Sequence, residues 1–193
     1  LRDIPLTNAD FRYANLSESK LLDSLLVNNN FDHAALNNIN FAGKDLSGSS
    51  FQRTELDGSD MQNTNLSEAD FIQVDLTKIK NKSLAGADLS EASFTHSNLS
   101  GVDLSGAILD KTNFWKADLS GVDFTVTDVI TDGLALIETD LSNSNFEGVD
   151  LSPKKIFHHT FENEAHLNNL SNKDLIEKLL FDEQTIQIVF RKV

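Results

Sequence analysis

Residues 97–107 read SNLSGVDLSGA, in which Leu99 and Leu104 stand five apart, each preceded by Asn or Asp and followed by Ser-Gly. An α-helix returns to one face after about 3.6 residues and a strand after two, so five belongs to neither. Outward from this stretch the same interval holds. Large apolar residues fall at Leu6, Phe11, Leu16, Leu21, Leu26, Phe31, Leu36, Phe41, Leu46, Phe51, Leu56, Met61, Leu66, Phe71 and Leu76. The series resumes from Leu84 through Leu89, Phe94, Leu99, Leu104, Leu109, Phe114, Leu119 and Phe124 to Val129, and again at Leu136, Leu141, Phe146 and Leu151.

Two residues before each large one the chain prefers a small residue, as at Ala9, Ala14, Ala34, Ala69, Ala87, Ala92, Ala107 and Ala117. Positions two apart in extended chain point the same way, so both belong to one interior. The residue between them is typically Asp or Asn and faces water. Bends at the Ser-Gly and Ser-Glu pairs then wind the chain into stacked turns around a thin core.

The pattern A-(D/N)-L-x-x, matched by ADLSE at 87–91, VDLSG at 102–106 and ADLSG at 117–121, resembles the pentapeptide repeat family over about residues 4–155. The resemblance implies an all-β solenoid, a right-handed, four-sided parallel β-helix. Four sides also follow from the residues. Phe11, Phe31, Phe51 and Phe71 are 20 apart, as if each coil returned Phe to one face. An insertion of three residues near 77–82 brings Phe94 and Phe114 into the same column. A further two near 130–135 keep Leu141 with Leu16, Leu36, Leu56, Leu76, Leu99 and Leu119. Some seven coils at about 4.8 Å each predict a rod of roughly 35 Å. The inserted TKIKNK is expected to be a protruding loop from which Lys78, Ile79 and Lys80 could be deleted without loss of register.

Three places depart from the pattern. Lys44 stands where Ala is expected, so its head should leave the interior at a corner. Leu22, Leu25 and Val27 point outward in the first coil, which suggests a covering segment or a partner contact. After Leu151 the period ends. Residues 1–155 are therefore expected to be the β-helix and 156–193 a cap, a dimerisation element or the start of a further domain. In that tail Ser171 reads as a helix N-cap before the apolar stripe Leu175, Ile176, Leu179 and Leu180. The closing TIQIVFRKV fits strand or helix.

The chain has 193 residues and a formal net charge of −14. Residues 1–151 hold 24 acidic and 10 basic side chains, whereas 152–193 hold six of each. Such charge argues against direct binding to nucleic acid or anionic lipid. The lack of cysteine excludes disulfides and thiolate zinc sites. The longest apolar candidate, LLDSLLV at 21–27, is far short of the roughly 18 residues a span requires. The opening LRDIPL, without Met or a signal core, reads as a piece of a longer protein.

No phosphate-cradling loop, H-E-x-x-H or nucleophile elbow occurs. His158, His159, Glu162, Glu164 and His166 have metal-ligand chemistry but no recognisable geometry, and read as a solvated cap segment. Outward Asp residues run along a surface instead of converging in a cleft, so no catalytic residue, cofactor or metal is expected. The reading is a non-enzymatic protein-interaction module.

The family resemblance implies two partners for it. Acidic members protect DNA gyrase and topoisomerase IV from quinolones by binding in place of DNA, which implies a cytoplasmic bacterial protein dimerising through 171–193. Similar β-helices in secreted bacterial effectors bind host proteins inside a host cell, in some cases ahead of a HECT-like ubiquitin ligase. Asp88, Asp103, Asp118, Asp123 and Trp115 are the candidate contacts, together with Lys78, Lys80 and Lys82, which would interrupt an acidic track. Charge alone is weak support for mimicry, because 12 of the 24 acidic residues are Asp where the repeat itself asks for Asp or Asn.

Overall fold

In the computed structural model the described residues are 6–21, 25–127, 134–135, 139–141, 144–145 and 156–157. Through them the chain climbs by parallel backbone pairing at a fixed return. Asp10 pairs with Asn30, Asn30 with Ser50 and Ser50 with Asp70; Asn40 pairs with Asp60 and Asp45 with Asn65. Each return is 20 residues, four pentapeptides. The residue preceding each large apolar side chain makes the bridge, and its neighbours supply the hydrogen bonds. The Phe51 N–H donates to the Asp70 carbonyl at 2.7 Å and the Ser50 N–H to the Asn29 carbonyl at 2.9 Å.

Between bridges the chain bends in four residues. The Ala14 N–H donates to the Phe11 carbonyl at 3.0 Å and the Ala34 N–H to the Phe31 carbonyl at 2.9 Å. Tyr13 and His33, third in these turns, have φ of 62° and 59°, the signature of a type II turn. Glycine suits that place. At Gly86, φ +69°, an added Cβ would lie 2.2 Å from Asn63 Oδ1 of the coil below.

The interior is a set of columns. Phe11, Phe31, Phe51, Phe71, Phe94 and Phe114 stack with ring centroids 4.7–5.3 Å apart and planes within 19° of parallel. All but Phe11 are fully buried. Where Ser or Thr replaces the small Ala, its hydroxyl is buried but donates to a carbonyl one coil earlier, as Thr54 to Phe31 at 2.7 Å and Thr112 to Leu89 at 2.9 Å. Ser49 also accepts from the Asn29 N–H at 3.1 Å while donating to the Leu26 carbonyl at 3.0 Å. These bonds remove the cost of burying a bare hydroxyl. Lys44 is half-buried, its turn closed by its N–H on the Phe41 carbonyl at 2.9 Å.

Both changes of register are insertions. The return lengthens to 23 at Asn65–Asp88, Asp70–Ser93 and Asp75–Asn98, and to 22 at Asp118–Asp140 and Asp123–Asn145. A strand β1, Leu134–Ala135, pairs in parallel with β2, Ile156–Phe157, again 22 residues on. Val129, Leu136, Phe146, Leu151, Leu22, the histidine cluster and the 171–193 helix and terminus lie outside the described residues.

TKIKNK does not protrude, contrary to the expectation from spacing. It winds into two short 3-10 turns, Leu76–Lys78 and Lys80–Lys82, and Ile79 between them is 3% exposed, within the core. The Lys80 N–H donates to the Ser59 carbonyl at 2.9 Å, keeping the ladder. An apolar side chain at the centre of the insertion draws the extra residues inward, and the tight 3-10 winding takes them up within one corner.

Two buried polar groups among the described residues lack a partner, Nδ2 of Asn29 and a carboxylate oxygen of Asp70. Asp70 is half-buried, and burial first and the Asp32 charge second raise its pKa.

Three outcomes are expected. Phe51→Ala, which opens the stack between rings at 5.2 and 4.7 Å, should cost about 3–5 kcal/mol in urea denaturation. Deleting Lys78–Lys80 removes buried Ile79 and shifts Lys82 to the inward place before Ser83 and Leu84; stability should fall, and adding Lys82→Ala should restore most of it. Asp70→Asn should raise the urea midpoint at pH 7. A carboxyl whose pKa is raised on folding opposes folding when ionised, so wild type should gain on the variant as pH falls through that raised pKa toward 3.8.

Candidate functional site

The chemistry of the described residues lies on the outer surface of the coils. The bridge residues that precede the large apolar ones serve the fold first. Asp88 Oδ1 accepts from the Ser90 N–H at 3.0 Å, Asp103 from Ser105 at 2.9 Å, Asp118 from Ser120 at 2.9 Å and Asp123 from Thr125 at 2.9 Å. Asn makes the same bond elsewhere, Asn65 to Ser67 and Asn98 to Ser100, both at 3.0 Å. The turn therefore needs the oxygen and not the charge. The Ser105 and Thr125 hydroxyls, donating at 2.5 and 2.7 Å, hold the Asp103 and Asp123 carboxyls below the usual range, helped by the backbone N–H groups. Both are ionised at neutral pH.

The four candidate aspartates do not share one face. Asp103 and Asp123, one return apart, belong to the column of Ser83 and Asn145; Asp118 lies in that of Asn98 and Asp140; Asp88 pairs with Asn65 and Ile108. The inserted lysines do not form a basic spike. Lys80 Nζ lies 2.6 Å from Asp60 Oδ2 and Lys78 Nζ 3.7 Å from Asp75 Oδ2. They neutralise bridge carboxylates within the acidic surface, and Lys82 is exposed.

Trp115 is 39% exposed, with Lys116 Nζ 5.0 Å from its ring centroid and the His96 ring 5.5 Å away. It belongs to a longer feature that apolar periodicity does not reveal. The third turn residues over the Phe column are Tyr13, His33, Arg53, Gln73, His96 and Lys116, in successive coils, all with φ of 54–62°. Over the other three columns this place holds Gly43, Gly48, Gly58, Gly86, Gly101, Gly106 and Gly121 or Asn8, Asn28, Asn38 and Asn63 in most coils. Over the Phe column neither Gly nor Asn occurs. Such a backbone conformation costs a larger residue roughly 1–2 kcal/mol, so this line holds six large side chains where small ones would be more stable.

Neighbours in the line touch along the rod. The Tyr13 and His33 rings stack at 4.9 Å and 12°, and Arg53 Nε donates to Gln73 Oε1 at 2.5 Å. Next to the six, on the second turn residues, stand Arg12, Asp32, Gln52, Ile72, Thr95 and Trp115. Arg12 grips Asp10 with Nε and a terminal nitrogen at 2.9 and 2.6 Å and draws its pKa down to about 2. The chain's single Tyr and single Trp are both here. So are both arginines and both histidines of the described residues. Stepping the turn positions by 20, with the three-residue shift, would have revealed the line from sequence.

Among the described residues, no group of three or more His, Asp and Glu could hold a metal ion, and no helix is long and apolar enough to cross a membrane.

No curated protein matches the sequence. Among solved structures, a trypsin-treated form of QnrB1, a plasmid-mediated fluoroquinolone resistance protein, is 23% identical over 79% of each chain, with a TM-score of 0.39. HetL, a pentapeptide repeat protein involved in heterocyst differentiation regulation from the cyanobacterium Nostoc sp. strain PCC 7120, is 25% identical over 75% of this chain and 81% of its own, TM-score 0.26. A pentapeptide repeat protein from the Arabidopsis thaliana thylakoid lumen is 24% identical over 67% and 78%, TM-score 0.23. The family model for pentapeptide repeats matches in eight copies, over residues 6–43, 45–79 and 87–125. Such proteins fold as right-handed quadrilateral β-helices and are generally non-enzymatic structural or interaction modules. With more than half of its length matched, and with parallel returns of four pentapeptides, the chain belongs to the pentapeptide repeat family.

Proposed function

We propose that this chain is a non-enzymatic protein-interaction β-helix whose acidic columns take the place of duplex DNA at a type II topoisomerase. The observation that carries this reading is the state of the bridge aspartates. Asp103 and Asp123 stand one return apart in one column, Asp118 bridges to Asp140 in another, and the Asp103 and Asp123 carboxyls are held ionised by hydrogen bonds from their own turns.

Magnitudes locate where the imitation works. Residues 6–127 carry 17 carboxylates and 9 cations, a net of −8 over roughly six coils, or about 29 Å. Duplex DNA carries one charge per about 1.7 Å, about twice that density. Mimicry therefore depends most on the column of Asp103 and Asp123, two sides on from the Phe stack, whereas Asp118 follows Lys116 of the cationic line by two residues. A host-protein-binding β-helix of a secreted effector is the second reading, favoured by the exposed Trp115 beneath Lys116.

Replacing Asp88, Asp103, Asp118 and Asp123 with Asn removes four charges while keeping the turn oxygen. The variant should fold and lose most of the wild type's effect on gyrase supercoiling. Wild-type protein that leaves supercoiling unchanged at micromolar concentration, with and without a quinolone, would overturn the mimic reading. Under the effector reading neither form touches gyrase and Trp115→Ala impairs partner capture. The pH dependence has a definite sign. Lowered carboxyl pKa values at Asp103 and Asp123 stabilise the fold above 3.8, so salt-sensitive gyrase binding should persist from pH 8 to about pH 5.

A further inference from the structure

We propose that the line of large side chains over the Phe column is a second interaction surface, one that receives an extended acidic segment of a partner protein. It rests on neither partner named above, because it uses the least acidic edge of the rod and leaves the column of Asp103 and Asp123 free.

Tyr13, His33, Arg53, Gln73, His96 and Lys116 all occupy a left-handed turn position that the rest of the solenoid mostly fills with Gly or Asn. Packing does not demand them. Tyr13 is 74% exposed, and Arg53, Gln73, His96 and Lys116 are exposed as well. The core beneath is closed by the Phe rings whatever stands outside.

With the adjoining Arg12, Asp32, Gln52, Ile72, Thr95 and Trp115, this edge holds three cations, of which Arg12 is paired with Asp10, and one carboxylate, in a chain of net charge −14. Its carboxylate is already engaged, since Asp32 Oδ1 accepts from Ser50 Oγ at 2.5 Å and the Gln52 N–H at 2.9 Å. Arg53 makes no ion pair among the described residues, and its Nε is steered by Gln73, so its charge is offered outward. Trp115 and Tyr13 supply flat faces toward the two ends.

From the first coil to the sixth the line runs about 24 Å, which an extended peptide covers in about seven residues. Carboxylates on such a segment complement Arg53 and Lys116, and its apolar side chains can lie on the two rings. A nucleic acid fits less well: the cations of this edge are few against its phosphate density, and the other faces repel it.

Trp115, as the only Trp, reports directly on this edge. Its fluorescence should change saturably as poly-L-glutamate is added at low salt. Replacing Tyr13, Arg53, His96 and Lys116 together with Asn, the residue found at this turn position in Asn8, Asn28, Asn38 and Asn63, should weaken that binding at least tenfold. The same variant should unfold at equal or higher urea concentration than wild type. Arg53→Gln alone, which repeats the side chain of neighbouring Gln73, should weaken binding severalfold with no change in unfolding. Three results would overturn the proposal: no saturable change up to roughly millimolar glutamate side chains, binding undiminished in the Asn variant, or tighter binding of single-stranded oligodeoxythymidylate than of poly-L-glutamate. If the fourfold variant fails to fold, Arg53→Gln decides between the same outcomes.

Discussion

Everything in the described coils depends on the parallel backbone ladder that returns every four pentapeptides, 20 residues wherever nothing is inserted. A lone pentapeptide has one extended residue and one turn, too little to bury its large side chain or satisfy its N–H and C=O groups. Stacked on an equivalent pentapeptide, it does both. The N–H of Phe51 finds the carbonyl of Asp70 while the Phe51 ring finds that of Phe71 at 4.7 Å. Because hydrogen-bond spacing between strands and ring-stacking spacing are both near 5 Å, one repeat satisfies polar and apolar demands together. Each coil touches mainly its neighbours, so stability accumulates coil by coil.

That ladder also dictates how charge is displayed. A bridge residue must offer an oxygen to the N–H two residues on, and Asp and Asn serve equally, as Asp88 and Asn98 show. The turn closes with either, so net charge can follow function, while the stability difference between them depends on the site, favouring the carboxylate at Asp103 and opposing it at Asp70. Lys80 on Asp60 and Arg12 on Asp10 show the reverse adjustment, with a cation set against a bridge carboxylate. Such exposed pairs contribute little stability; their larger effect is to shape the field around the rod.

Much of the solenoid was legible in the sequence because its period is written in the most buried residues. The Phe spacing of 20 identified the column, and continuity of that column and of the Leu column turned both slips into insertions of three and two. The 3-10 turns around Ile79 were not legible, since the interval from Leu76 to Leu84 does not say which intervening residue goes inward. The assignment rests on tertiary space beside Leu76. The functional surface was less legible for a related reason. Period-five reading follows what is buried, whereas the line from Tyr13 to Lys116 is visible only once the turn positions are aligned by coil.

The two classes of outward position carry different information. At a bridge, Asp is compatible with the turn and its presence needs no partner to explain it. At the third turn residue, φ near +60° favours Gly and Asn, and Tyr, His or Arg opposes the local preference. A single exception is noise that packing or drift can produce. Six in one line, in six successive coils, above the one column made of stacked aromatic rings, are not explained by the core they cover, because the same turn closes over Leu46, Leu84 and Leu99 with Gly48, Gly86 and Gly101. Local conflict with conformational preference is where a fold of this regularity departs from its own repeat, and a partner that contacts these side chains is the physical reason that accounts for all six at once.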